Sequence, residues 1–136
     1  MYKHLTKREV MYNNEAKIIK KFTSAKVDPR EIYRQAVNAT HSAVDDYVAK
    51  HGEPMYCGFA NVLVRPATGP FVKWLKANKI GDNGYAGGYR IPWHEISKGH
   101  KNSYTQSMDI KEHGCDAFAD VLEKYGLDAY MQSRAD

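Results

Sequence analysis

Apolar and small residues recur at steps of three and four between Ile32 and Val48, through Ala36, Val37, Thr40, Ala43, Val44 and Tyr47. That spacing collects them on one face of a helix. Asp28 stands where an N-cap belongs, Pro29 takes the first helical position, and Glu31 completes a capping box. Gly52 sits at the usual stop position and Pro54 blocks any extension. The pattern predicts a helix over 29–51. Upstream, Thr6 and Glu9 form a second capping box, which predicts a helix from near Lys7. Its stripe of Val10, Met11, Ile18, Ile19 and Phe22 is looser and frays into Thr23–Lys26.

From Tyr56 the period drops to two. Gly58, Ala60, Val62 and Val64 alternate with Phe59, Asn61, Leu63 and Arg65, a strand that Pro66 stops. Thr68-Gly69-Pro70 opens a short helix carrying Phe71, Trp74 and Leu75. Gly81, Gly84, Gly87 and Gly88 then punctuate a loop leading into a strand at about Tyr85–Trp93. Ser97–Asn102 reads as a polar turn and Tyr104–Met108 as a third strand. Asp109 and Glu112 suggest another capping box, ahead of a helix with Phe118, Val121, Leu122 and Tyr125 on one side. Gly126 closes that helix, and Leu127–Arg134 is the last strand. The order β-α-β-β-α-β predicts an α+β fold of ferredoxin-like type over 56–134, preceded by two N-terminal α-helices. Residues 1–27 read as a basic appendage and 28–136 as a single domain. In that topology the last strand runs antiparallel beside the first, which places Arg134 near Cys57 and Phe59.

Composition narrows the class. The chain has 136 residues, 43% of them hydrophobic, enough for one real core. No apolar run approaches the roughly 18 residues of a membrane span. The first residues, Met1–Arg8, contain no apolar signal segment, so a cytoplasmic protein is expected. The two cysteines, Cys57 and Cys115, read as reduced thiols. The net charge of +4 is uneven: residues 1–34 hold nine Lys/Arg against four acids, leaving the rest at −1. Such a basic end suits a polyanionic partner, and equally a solvated helix face.

Three places can carry chemistry. The segment Gly81–Tyr89 matches neither a Walker loop nor a dinucleotide fingerprint, and reads first as a hairpin loop or bulge. Its tyrosines Tyr85 and Tyr89 still offer stacking surfaces with polar tips. The sheet face away from the two crossover helices is the second place. There Phe59, Asn61, Leu63 and Arg65 would join Tyr130, Gln132 and Arg134, with Ala129 and Met131 turned inward. Aromatics beside arginines on an open sheet suit single-stranded nucleic acid or a nucleotide, unless the N-terminal helices cover that face. Third, Cys57 with His94 or His113 is the best available nucleophile pair, although a buried structural cysteine is the commoner case. There is no CxxC, HxH or HExxH, so neither a metal nor a cofactor is called for.

Residues 56–136 also resemble a family of small, largely uncharacterised bacteriophage proteins. The resemblance rests on Cys57–Val62, Tyr85–Gly88, Gln106–Asp109, Lys111-Glu112, Ala117–Ala119 and the ending Gly126–Asp136. It covers about three-fifths of the chain. It implies a phage origin, expression in a bacterial host's cytoplasm, and candidate site residues in the polar motifs just named; by analogy, small phage proteins of this kind are accessory proteins that often bind and interfere with a host system. No activity comes with it.

Together these readings predict a non-catalytic binder of a phosphate-bearing ligand, either a nucleotide or a nucleic acid. Its expected site residues are Asn61, Arg65, Tyr85, Tyr89, Gln106, Ser107, Tyr130, Ser133 and Arg134. Two alternatives stand beside it. One is an inhibitor of a host protein docking through the N-terminal helices; the other is a small Cys57-dependent enzyme. A homodimer through a sheet edge is compatible with all three.

Overall fold

The structure, a computed structural model, describes residues 27–84 and 87–136. The elements run α1 (Pro29–His51), β1 (Gly58–Arg65), α2 (Pro70–Ala77), β2 (Asp82–Asn83), β3 (Tyr89–Pro92), α3 (Trp93–Ile96), α4 (Met108–Lys124) and β4 (Asp128–Ala135). The chain is thus α+β, with a four-stranded sheet ordered β2-β3-β1-β4. Every neighbouring pair of strands is antiparallel. The helix near Lys7 lies outside the described residues. Among those described, no helix is long and apolar enough to cross a membrane.

α1 starts and stops where its local signals put it. Asp28 Oδ1 accepts from the Arg30 amide at 2.9 Å. Gly52 closes the helix at φ 68°, with its amide bonded to Val48 O. Glu31 does not reach back to complete the box; its carboxylate pairs with Arg34 and takes a hydrogen bond from Gln35.

The inner sheet face carries Ala60, Val62 and Val64 of β1, Tyr89 and Ile91 of β3, and Ala129 of β4. These pack against Phe71, Val72 and Leu75 of α2 and Ile110, Phe118 and Leu122 of α4. α4 touches β1 and β4 on one side and α1 on the other. α1 therefore packs on the helices and not on the outer sheet face. Gly114 permits the close crossing of α1 and α4. A Cβ there would stand 2.6 Å from Trp93 Cζ3 and 3.0 Å from Thr40 Cγ2. The buried Thr40 hydroxyl lies 3.0 Å from Gly114 O, so the crossing is also hydrogen-bonded.

Three expectations are corrected. Tyr104–Met108 is not a strand. Ser103 and Thr105 give their amides to His100 O and Asn102 O in turns, and Tyr104 is 93% exposed. Only an isolated bridge, Cys57 to Ser107, survives of the pairing. This segment has no apolar alternation to bury, so nothing holds it to the sheet. The hairpin instead comes from the glycine segment, where Asp82 and Asn83 pair with Arg90 and Tyr89. The strand expected from Tyr85 accordingly begins at Tyr89. The cap of α4 is also Ser107 and not Asp109, since Ser107 Oγ accepts from the Ile110 amide.

Candidate ligand-binding groove

Register builds the site. On the outer face Phe59 stands opposite Arg134, Asn61 opposite Gln132, Leu63 opposite Tyr130 and Arg65 opposite Asp128. On the other flank of β1, Asn61 meets Pro92 and Leu63 meets Arg90. A broad, open groove of about 1060 Å³ lies across this face, lined chiefly by Phe59, Asn61, Arg90, His94, Gln132 and Arg134. Lys111 rises into it from α4.

The glycine segment bounds the groove by covering Leu63. A Cβ on Gly84 or Gly88 would come 2.7 Å from the Leu63 side chain. The missing side chains let the hairpin loop lie flat on Leu63, which is only 1% exposed although it points away from the helices. The Gly84 amide donates to Gly88 O at 2.8 Å and closes that loop. The glycines thus serve packing, as a hairpin reading of them implies.

The charged groups differ in how far they are committed. Arg90 makes a two-pronged pair with Asp82, at 2.9 and 2.8 Å. The Arg134 guanidinium lies 5.3 Å from the Phe59 ring centroid and has no carboxylate partner among the described residues. Arg65 lies 5.8 Å from the Tyr130 ring. Two polar atoms on this sheet face, Asn61 Oδ1 and Arg65 Nε, are buried without a hydrogen-bond partner among the described residues. Lys111 is 7% exposed. Its Nζ donates to Gly58 O at 2.8 Å and stands 5.4 Å from the Phe59 ring.

Of the residues expected at the site, Asn61, Ser133 and Arg134 line the groove, while Arg65 and Tyr130 share the sheet face outside its lining. Tyr89 does neither. It points into the core, its hydroxyl donates to Ile80 O, and burial pushes its ionisation upward. Ser133 lines the groove on its α4 side, where its hydroxyl donates to Glu112. Ser107 is buried and occupied as the α4 cap. Gln106 is exposed in the preceding loop, and its carbonyl accepts from the Gly58 amide. Tyr85 lies outside the described residues. Cys57 is exposed, with Sγ 3.5 Å from Met55 O. His113 stacks on Tyr47 at 4.2 Å, and His94 lines the groove beside Glu95. Among the described residues no hydrogen bond joins Cys57 to either histidine. No His/Cys/Asp/Glu cluster there could hold a metal ion.

The expected ligand-binding residues leave out Lys111, which entered only through the resemblance, and Arg90. For Lys111 the signal was present. It lies three, four and seven residues before Gly114, Cys115 and Phe118, on the buried stripe of α4. The chain matches no family model, no curated protein and no solved structure. The resemblance to phage proteins therefore rests on its residues alone.

Proposed function

We propose that this groove binds a phosphate-bearing ligand with a planar base, a nucleotide or nucleic acid, and that the chain acts as a binding protein. The observation that carries this reading is the aromatic–guanidinium contact of Phe59 with Arg134 in the groove, with a second such contact, Tyr130 with Arg65, further along the same sheet face outside the lining. The rungs bearing Phe59 and Tyr130 lie four residues apart, about 13 Å along the strand. Asn61 and Gln132 sit between them. Rings stack bases, guanidiniums pair phosphates, and amides read polar edges. The basic residues of 1–34 favour the same kind of partner.

The split β-α-β-β-α-β connectivity and antiparallel strand order support assignment to the ferredoxin-like type. The resemblance to phage proteins supports an accessory role in a bacterial host's cytoplasm.

The test is a fluorescence-anisotropy titration of labelled single-stranded and duplex oligonucleotides, with unlabelled ATP as competitor, at low and raised salt. Binding that weakens steeply with salt is expected for a nucleic acid. Displacement by ATP at comparable concentration identifies a nucleotide site. Absence of binding to all three overturns the reading.

A further inference from the structure

We propose that Lys111 forms the floor of a subsite for a terminal phosphate monoester, such as the phosphorylated end of a nucleic acid strand or a mononucleotide. This rests on the reading of the groove as a phosphate-ligand site and says which part of the ligand enters where.

β3 ends at Pro92, opposite Asn61. Beyond that rung β1 continues through Ala60 and Phe59 with no ladder partner on the β3 side, because the chain has turned into α3. The opening so left is lined by Ala60, Trp93, His94 and Lys111. Lys111 is more than nine-tenths buried, and among the described residues no carboxylate pairs with it. A buried ammonium ordinarily has an anionic partner. Of its three donors, Gly58 O takes one. Arg134 supplies a second cation on the same ring, since it and Lys111 both lie within 5.4 Å of the Phe59 centroid.

A monoester suits this opening better than a bridging phosphate. It carries roughly −1.5 to −2 charges and three strong acceptor oxygens. It is also substituted on one side only, so it can enter the opening end-on. A phosphodiester carries a sugar on each side and stays on the open part of the face.

The test compares one six-nucleotide oligothymidylate, labelled at its 3′ end, with and without a 5′-phosphate. AMP against adenosine by thermal shift forms the second arm. Wild-type protein is expected to bind the phosphorylated strand about tenfold or more tightly, the value of a charge-assisted contact. Lys111→Met should remove the difference between the two strands. A shift with AMP and none with adenosine, together with equal affinity for the two strands, would assign the subsite to mononucleotides. Equal affinity for the strands and no preference for AMP in the wild-type protein would overturn the subsite and leave the groove reading standing. No binding of either strand or of AMP would overturn both. The wild-type comparison decides the matter even if Lys111→Met does not fold.

Discussion

Phe59 and Arg134 face each other across the β1/β4 ladder, with the guanidinium 5.3 Å from the centre of a ring that is 48% exposed. An exposed aromatic held beneath an arginine that has no acidic partner among the described residues is a ready surface for a stacked, anionic ligand. The contact exists because β4 runs antiparallel to β1, which brings a residue near the end of the chain back to the start of the first strand.

Arg134→Ala is expected to leave stability within about 0.5 kcal/mol, since the side chain is exposed. It should weaken oligonucleotide binding by about 1–3 kcal/mol, the range for a hydrogen bond to a charged group. A melting curve and an anisotropy titration on the same variant check both halves. A collapsed melt would make the residue structural, and unchanged affinity would remove it from the site.

Gly114→Ala is expected to destabilise the protein by about 1–2 kcal/mol. Overpacking costs roughly 1–3 kcal/mol and outweighs the gain in helix propensity of up to about 1 kcal/mol. The obstacle is the Trp93 ring, which cannot swing aside freely because its Nε1 donates to Ser103 O at 2.9 Å. Urea denaturation measures the loss. A rise in the midpoint would show that the α1–α4 crossing has room to spare.

The two thiols should react in sequence. Cys57 is exposed, whereas Cys115 is buried and burial pushes its ionisation far up. A disulfide-exchange reagent added at pH 8 should find one thiol rapidly, and the second only after denaturation. Two rapid equivalents would contradict the burial of Cys115, and none in denaturant without reductant would indicate a disulfide.

Stability should fall on mild acidification. Burial, and then the neighbouring His100, push the His41 imidazole below its ordinary value, while Asp45 pulls weakly the other way. The two rings lie 5.0 Å apart, and His41 Nε2 is buried without a hydrogen-bond partner among the described residues. His100 in turn bonds Asp45 through Nε2 at 2.8 Å and takes the Asn102 amide on Nδ1. Above the unfolded value of about 6.5 neither state binds a proton at His41. As the pH falls through that value the unfolded chain takes one up first, so the folded state loses stability until His41 itself is protonated. Denaturant midpoints at pH 7.5, 6.5 and 5.5 should drop more steeply in the wild type than in His41→Gln. Parallel slopes would place the pH dependence elsewhere.

Much of the architecture is determined by signals that act within a few residues. Asp28, Pro29 and Gly52 bound α1 by capping and backbone preference, and these need no partner from elsewhere in the chain. The two-residue period of β1 likewise sorts Ala60, Val62 and Val64 from Phe59, Asn61 and Arg65, and the antiparallel return of β4 puts Arg134 beside Phe59. The same period groups Ser133 with Ala129 and Met131, which is why Ser133 meets Glu112 at the edge of the groove while Arg134 meets Phe59. What only the tertiary structure decided is what covers each face. Leu63 points outward and is nevertheless buried, because a loop of glycines some twenty residues later folds onto it. Tyr104–Met108 fails to become a strand because no strand of the sheet needs it once Asp82 and Asn83 have paired with β3. Lys111 becomes a buried cation beneath the groove because β3 stops at Pro92 and leaves a gap for it. Burial depends on the partner surface, and a partner distant in sequence leaves no local pattern by which it can be read.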